Sequence, residues 1–446
     1  MKHGIASLKF SSALLIGLGV AGSAHSAGFN LLEQNASSLG NAYAGSAAIA
    51  ENASTIYFNP AGMTRLSGLN VSGGLSAIKP SFKFRDEGST GPTTPFGALP
   101  LGTGRGGDAG DWGFLPNAYA SWELTPNWFV GLGIGAPFGL TTEYHNDWIG
   151  RYHSTKFAIE SINLNPSVAY KVNDRLSLGL GLNWMRLDAD YRRAVPALAL
   201  AEQVPPGAVP SLVGGPDLMA RVKMDGDAWG WNAGVLFQAT PNTRIGLSYR
   251  STVKINASGD TTLKGNLPAA LGGTAVSQEV GAKASVRLPD TAVLSVVHDL
   301  NPTWQLLADV SWTGWSSIKS LDIRNEPGLP GDSLDLRFKD TWRVALGANY
   351  HHNEKWTFKG GIAWDQSPVR NATYRPTSLP DNDRYWVSIG AQYRFNANAT
   401  LDVGYAYLFL NDARINNGVP TDGKGTIRGK YKDNANVLGV QFSYQF

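Results

Sequence analysis

The chain contains no cysteine, which excludes a disulfide framework and any thiolate chemistry. It also lacks an apolar run approaching the roughly 20 residues that a membrane-crossing helix needs. Its formal charge is only +3, so no basic face invites nucleic acid. No glycine-rich phosphate loop is present, which removes nucleotide-driven work from the options. What the chain has instead is aromatic and small: 14 Trp, 16 Tyr, 17 Phe and 52 Gly. That mixture suits interface girdles and closely approaching strands of a barrel wall.

The first 26 residues read as an export signal. Lys2 and Lys9 precede an apolar stretch from Ala13 to Ala21, and the small residues Ala24 and Ser26 predict cleavage before Ala27. Removing this segment lowers the charge to +1. From Ala27 to Leu66 no strand alternation is sustained, and the composition of Ala, Ser, Gly and Asn predicts a small compact unit. Leu39, Tyr43 and Ala47 to Ala50 fall on one face of a short helix if one forms there, limited by Asn52 and Pro60. A loose tether is the alternative.

Beyond Leu69, fourteen candidate strands begin near residues 69, 115, 129, 157, 175, 220, 243, 282, 303, 336, 355, 383, 400 and 430. Six very short connections, such as Thr240 to Thr243, alternate with seven much longer ones. Leu176, Leu178, Leu180, Leu182 and Trp184 face one way, while Ser177, Gly179, Gly181 and Asn183 face the other. An even number of such strands, with tight turns on one side and long loops on the other, predicts an all-β fold: a fourteen-stranded antiparallel transmembrane β-barrel. A soluble sandwich shows the same alternation in any one strand, but it has no use for so many lipid-compatible aromatic ends, and its edges would need other protection.

Among the long connections, Tyr191 to Ala220 carries unusual oil: Val195, Leu198, Leu200, Val209 and Leu212. These residues form the candidate outer groove, a landing surface for an apolar ligand or a lid packed over the barrel mouth. Arg186, Arg192 and Arg193 lie near the outer end of their strand.

The chain resembles the FadL family of outer-membrane long-chain fatty acid and hydrophobic-compound transporters. Segments 309–316 (DVSWTGWS), 338–347 (FKDTWRVALG), 356–369 (WTFKGGIAWDQSPV) and 379–384 (LPDNDR) follow the family blocks in order. The resemblance implies residues 27–66 as an N-terminal hatch plugging the lumen of a barrel formed by 67–446. Asn59, Pro60 and Ala61 fit the family's hatch motif, and Ala27-Gly28-Phe29 resembles the start that reaches an internal pocket, making Phe29 the first pocket candidate. Gly135, Pro137, Phe138 and Gly139 fall where the family kinks its third strand and leaves a lateral gap. Proline lacks the ladder N–H and glycine relaxes the backbone, although Pro137 can equally just end the strand. The implied ligand is a long-chain fatty acid or another hydrophobic small molecule, moving passively to a sideways exit, with Arg186, Arg192 and Arg193 as pocket candidates to meet a carboxylate. Where family-like basic character is expected near the lumen, Asp188, Asp190 and Asp322 stand instead. Aromatic or aliphatic hydrocarbons therefore remain a second substrate class.

A general porin needs an open aqueous lumen, which a packed hatch opposes. A hydrolase needs a nucleophile, base and orienter that converge, and His145, His153 and the many Ser and Asp show no such spacing. No catalytic residue, metal ligand or cofactor is expected. His351 and His352 are neighbours in a turn and would face opposite ways on a strand, so they do not make one metal site. Lys424, Arg428, Lys430 and Lys432 suit headgroup or lipopolysaccharide contact. No coiled-coil repeat demands a protein partner, so a monomer in the outer membrane is the expectation.

Overall fold

In the computed structural model, which describes residues 28–418 and 423–446 apart from the side chains at 202 and 203, twenty hydrogen-bonded segments form one antiparallel sheet. Six spans are each split in two by a bend, so the segments compose fourteen spans. The first span (Leu69–Asp86) pairs with the last (Ile427–Gln445) from Asn70 opposite Gln445 to Asp86 opposite Gly429. That seam closes the barrel. The expected export signal and its cleavage before Ala27 lie outside the described residues.

Turn chemistry explains why the short connections are short. Asn173, Asn301, Asn353 and Asn396 each accept two backbone N–H groups, from the residues two and three positions on, at 2.8–3.0 Å. Thr125 and Thr240 do the same work with a hydroxyl. A side chain that imitates a backbone turn lets each strand reverse within a few residues. The same six positions mark the same end of the barrel. The eighth span, by contrast, begins at Ala275, seven residues ahead of the expected 282. Its added stretch carries Ser277 and Glu279 on one face, so the apolar alternation that locates membrane strands is absent there.

The fifth span (Leu176–Val195) shows how one strand serves two environments. In its first half Leu178, Leu180 and Leu182 are exposed on the outer wall, while Ser177 and Asn183 are buried inside. In its second half the pattern reverses: Met185, Leu187 and Tyr191 are buried inside, and Arg186, Asp188 and Arg192 form ion pairs on the outer face. Side chains alternate strictly along a strand, so the chemistry has changed faces while the parity has not. The strand leaves the lipid layer at about Trp184.

Residues 28–66 fill the lumen at the short-turn end, nearly all of them buried. They contain only short helical turns (Leu39–Asn41, Thr55–Phe58 and Pro60–Arg65), so most of their backbone groups need partners elsewhere. The wall supplies them. Arg343 donates to Ala42 O at 2.6 Å, Arg244 to Ile49 O at 2.8 Å and Lys359 to Ser37 O at 2.9 Å, while Asp309 accepts from Gly45 N at 2.9 Å. Lys359 is itself neutralised by Asp402 at 3.1 Å and Glu51 at 3.0 Å. Close approach requires small residues: a Cβ on Gly40 would stand 2.8 Å from Gly390 Cα.

These contacts overturn the expected helix across Leu39 to Ala50. Ala42, Tyr43 and Ala50 adopt φ of 50°, 59° and 47°. A left-handed L-residue costs roughly 1–2 kcal/mol. With the Ala42 carbonyl bonded by Arg343, the wall's donors replace helical ones.

Candidate functional site

Above the N-terminal segment, toward the long loops, the lumen holds a cavity of about 80 Å³. Its walls come from Leu140, Phe157, Leu187, Val222, Ala257 and Val286 on spans three to eight, with Leu379 of the inward-folded 366–383 connection closing one side. Among the described residues no charged side chain lines it, and Ser378 is its one small polar group. Such a chamber favours an alkyl or aryl group by the water it releases and rejects a bare charge.

Phe29 forms the floor. Its ring meets Trp315 edge-on at 4.8 Å and Phe138 at 5.9 Å. Gly28 N donates to the Asp381 carboxylate at 3.0 Å, and Arg384 bonds the same carboxylate. Below this floor the wall turns polar. The fourth span (Lys156–Lys171) buries Phe157 and Ile159 beside the cavity, then Ser161, Asn163, Asn165 and Ser167 beneath it.

The bend in the third span sits at that transition. The span runs from Trp128 to Gly135, breaks, and resumes from Gly139 to Glu143. Its pairing with the second span (Gly113–Glu123) stops at Ile134 opposite Ala118, and the resumed segment pairs with the fourth span. Residues 113–117 pair with the first span only. In the break, the N-terminal segment stands in for the missing strand. Leu31 N donates to Pro137 O at 2.8 Å, Gly139 N donates to Phe29 O at 2.9 Å, and Gln34 donates to Ala136 O at 2.9 Å. Ser161 supports the same turn, accepting from Phe138 N at 2.9 Å and donating to Phe138 O at 2.6 Å. Pro137 therefore does not end the strand. A Cβ on Gly135 would stand 2.4 Å from Gln34 Oε1, so any side chain here displaces that amide.

Asn59 joins the plug to the wall. Its amide donates to Ala47 O at 2.7 Å and to Val235 O at 3.0 Å, while its Oδ1 accepts from Ala61 N at 3.0 Å. Pro60 opens the helical turn that follows, where its missing N–H leaves nothing unsatisfied.

The expected arginines separate. Arg193 points inward and pairs with Asp332 at 2.8 Å, and Lys424 meets the same carboxylate at 2.5 Å. Asp332 stands two residues from Leu334, which lines the cavity, so this group marks the outer end. Arg186 and Arg192 are corrected to the outer wall: Arg186 pairs with Asp225 at 2.9 Å and Arg192 with Asp190 at 2.7 Å. Asp188, Asp190 and Asp322 share that outward parity, since Leu187, Ala189, Tyr191, Leu321 and Ile323 line the cavity between and beside them. None of the three acids occupies the lumen. In the oily loop, Leu200 is buried against Leu218 and Leu263 with Val195 packed beside them, and Leu212 is buried near Ala197. Leu198 and Val209 are half-buried. The loop thus packs in part onto the outer ends of the sixth and seventh spans.

Trp315, Phe338 and the inward apolar residues of spans three to eight were not singled out from sequence as site residues. Their signal was the reversal of alternation past Trp184, which turns apolar side chains inward beyond the lipid layer.

A closed barrel with an oily outer band, a filled lumen and an all-apolar chamber is an outer-membrane transport barrel in architecture. The chain belongs to the outer membrane protein transport protein family (OMPP1/FadL/TodX), whose sequence model matches residues 17–446. It is 32% identical over 451 residues to a long-chain fatty acid transport protein of Escherichia coli O6:H1, covering 98% of each chain. It is 32% identical over 470 residues to outer membrane protein P1 of Haemophilus influenzae, covering 98% of this chain and 100% of that one. The crystal structure of a Pseudomonas aeruginosa FadL homologue matches with a TM-score of 0.83 at 25% identity, covering 94% of this chain and 100% of that one. The Pseudomonas putida toluene transporter TodX shares the fold, with a TM-score of 0.70 at 17% identity over 94% of this chain and 100% of that one. The protein is thus an outer-membrane transporter and not an enzyme.

Proposed function

We propose that the protein takes up long-chain fatty acids passively across the outer membrane, with residues 27–66 as its hatch and the bend at Gly135–Gly139 as a sideways exit. The observation that carries this reading is the floor of the cavity. Phe29 and Phe138 separate the all-apolar chamber from the break in the wall, and the lumen directly beneath is polar. An apolar chain that reaches the floor has an unfavourable path downward past Asn163 and Asn165, and a favourable one outward into lipid. No energy source is required, because partition into the membrane is downhill.

The carboxylate is assigned to the outer end, where Arg193 and Lys424 flank Asp332. The relatives named as fatty acid transport proteins support this choice. The uncharged wall supports a second reading, uptake of hydrocarbons, because no group inside the chamber demands a head.

The test is uptake and binding of a matched panel by the folded protein, working as a monomer: a long-chain acid, an alkane and a simple aromatic. Preference for the acid supports fatty acid uptake. Better binding of the neutral pair moves the assignment to hydrocarbons. A Gly135→Trp block that preserves surface level and ligand binding should slow uptake about tenfold or more, by overpacking against Gln34. Unchanged uptake in that variant removes the sideways exit.

A further inference from the structure

The outer wall carries its charges in two different ways. On the fifth and sixth spans Arg192 stands directly opposite Arg221, and Asp190 pairs with both, at 2.7 Å and 3.0 Å. Like charges directly opposite on paired strands repel, and that acid relieves them. At the closing seam the same repulsion is built in and left largely unrelieved. There the upper segment of the thirteenth span (Ala413–Asn417), the last span and the first lie side by side. Arg414 is opposite Lys430, and Lys430 is opposite Arg85, so three cations form one row across three strands. Two residues nearer the lipid, Lys432 is opposite Lys83. All five side chains point outward, because Ile415, Tyr431, Phe82 and Phe84, which alternate with them, are buried inside. Strand spacing and rise place the five in a patch of about 10 by 7 Å.

Two acids reach this patch, both weakly. Asp108 is 3.8 Å from Lys83, and its oxygens already accept from Ser81 Oγ at 2.7 Å and Phe82 N at 2.8 Å. Asp412 is 3.5 Å from Lys430 and more than half exposed. Among the described residues, Arg85, Arg414 and Lys432 make no ion pair. Three positive charges are therefore in surplus, held at cross-strand distance, and their counter-charge has to come from outside the chain. The height of the patch says from where. Leu438 is exposed on the oily band, and the Tyr405 hydroxyl bonded to Asn436 at 2.8 Å marks where polar groups begin on this wall. Lys432 lies four residues farther out, about 13 Å along the strand. The patch thus faces the headgroup layer of the outer leaflet. The phosphodiester of a phospholipid brings one negative charge, whereas a phosphate monoester carries up to about two. A glycolipid with more than one phosphate matches the surplus.

We propose that Lys83, Arg85, Arg414, Lys430 and Lys432 form a docking site on the outer wall for a multiply phosphorylated, lipopolysaccharide-type glycolipid of the outer leaflet. Of the other cations that the sequence offers for headgroup contact, Lys424 is turned inward to Asp332 and takes no part. The bound phosphates do for the seam what Asp190 does for Arg192 and Arg221, so the glycolipid fastens the first strand to the last. The site lies outside the lumen and does not depend on the cargo.

Equilibrium binding of diphosphorylated lipid A, its monophosphorylated form and phosphatidylglycerol to the full-length protein in neutral detergent tests it, with inorganic phosphate as competitor. The wild type should prefer the diphosphorylated form. Arg85→Gln, Arg414→Gln and Lys430→Gln combined should weaken its binding about 100-fold. Arg414→Glu alone sets an acid opposite Lys430, and should weaken binding about tenfold while raising the thermal stability of the lipid-free protein. Arg186→Gln, on the wall that neutralises itself, should change binding less than about twofold. Equal lipid A binding by wild type and the triple variant overturns the site, as does a lower lipid-free stability in Arg414→Glu, which would mean that the row is under no repulsion. Phosphatidylglycerol binding as tight as that of diphosphorylated lipid A, or displacement of lipid A by inorganic phosphate, overturns the glycolipid assignment.

Discussion

The two halves of the lumen are lined by the same strands with opposite chemistry. On the fourth span, Phe157 and Ile159 face the cavity, whereas Ser161, Asn163, Asn165 and Ser167 face the N-terminal segment. Outside, the order is inverted: oily where the wall meets lipid and ion-paired where it meets water. A barrel strand is thus two half-strands of opposite polarity joined end to end. The lower half must satisfy the backbone of a plug, so it needs amide and hydroxyl groups. The upper half must hold a solute that water rejects, so it needs none.

The most severe way to break this contrast is to put a charge in the upper half. Ile159→Asp should cut uptake of a labelled fatty acid about 100-fold, since an unpaired buried carboxylate costs several kcal/mol; uptake within a few-fold of wild type would mean that cargo does not pass through this chamber. A smaller effect is expected from loosening the lower half. Asn59→Ala removes a cap, one contact within the segment and one to the wall, and should destabilise the segment by about 1–2 kcal/mol, read as faster protease cleavage or a leak conductance. No gain in either signal would detach Asn59 from closure.

A gentler probe is pH. Glu33 lies in the N-terminal segment with both carboxylate oxygens buried. Burial, only partly offset by Arg384 and Arg343, pushes its carboxyl from 4.5 up to about 7. The folded segment therefore holds a proton that the unfolded one releases. This contribution to stability is fully present below 4.5 and is lost as pH rises toward 7 and beyond. Protease resistance of the segment should be higher at pH 5 than at pH 8, and Glu33→Gln should flatten the difference. An unchanged pH profile in that variant assigns the effect elsewhere. The smallest effect belongs to the outer wall: Arg186→Ala should leave uptake within about twofold, because exposed ion pairs contribute little. A large loss there would contradict its outward placement.

Much of this was legible in the sequence. The short turns and the alternation of Leu178 to Trp184 are local signals, and they located most of the spans and the number of strands. The bend was legible too, because Gly135 and Pro137 are chemically unsuited to an unbroken ladder. The arginines were not read correctly, because assigning Arg186 and Arg192 to the lumen ignored the parity that Leu182 and Trp184 had already set. The N-terminal segment was opaque for a different reason. Ala42 and Tyr43 take left-handed backbones while side chains about 300 residues away bond the carbonyls around them, as Arg343 does to Ala42. No local pattern encodes a partner that distant.

The hydrogen bonds from Leu31 to Pro137 and from Gly139 to Phe29 bear on how long the exit can stay open. Withdrawal of the segment would strip these backbone groups of their partners, and each orphan would cost several kcal/mol until it is re-paired. The proposed passage would thus carry its own timer: opening raises the energy of the wall, and the return of Leu31 and Phe29 restores the pairs.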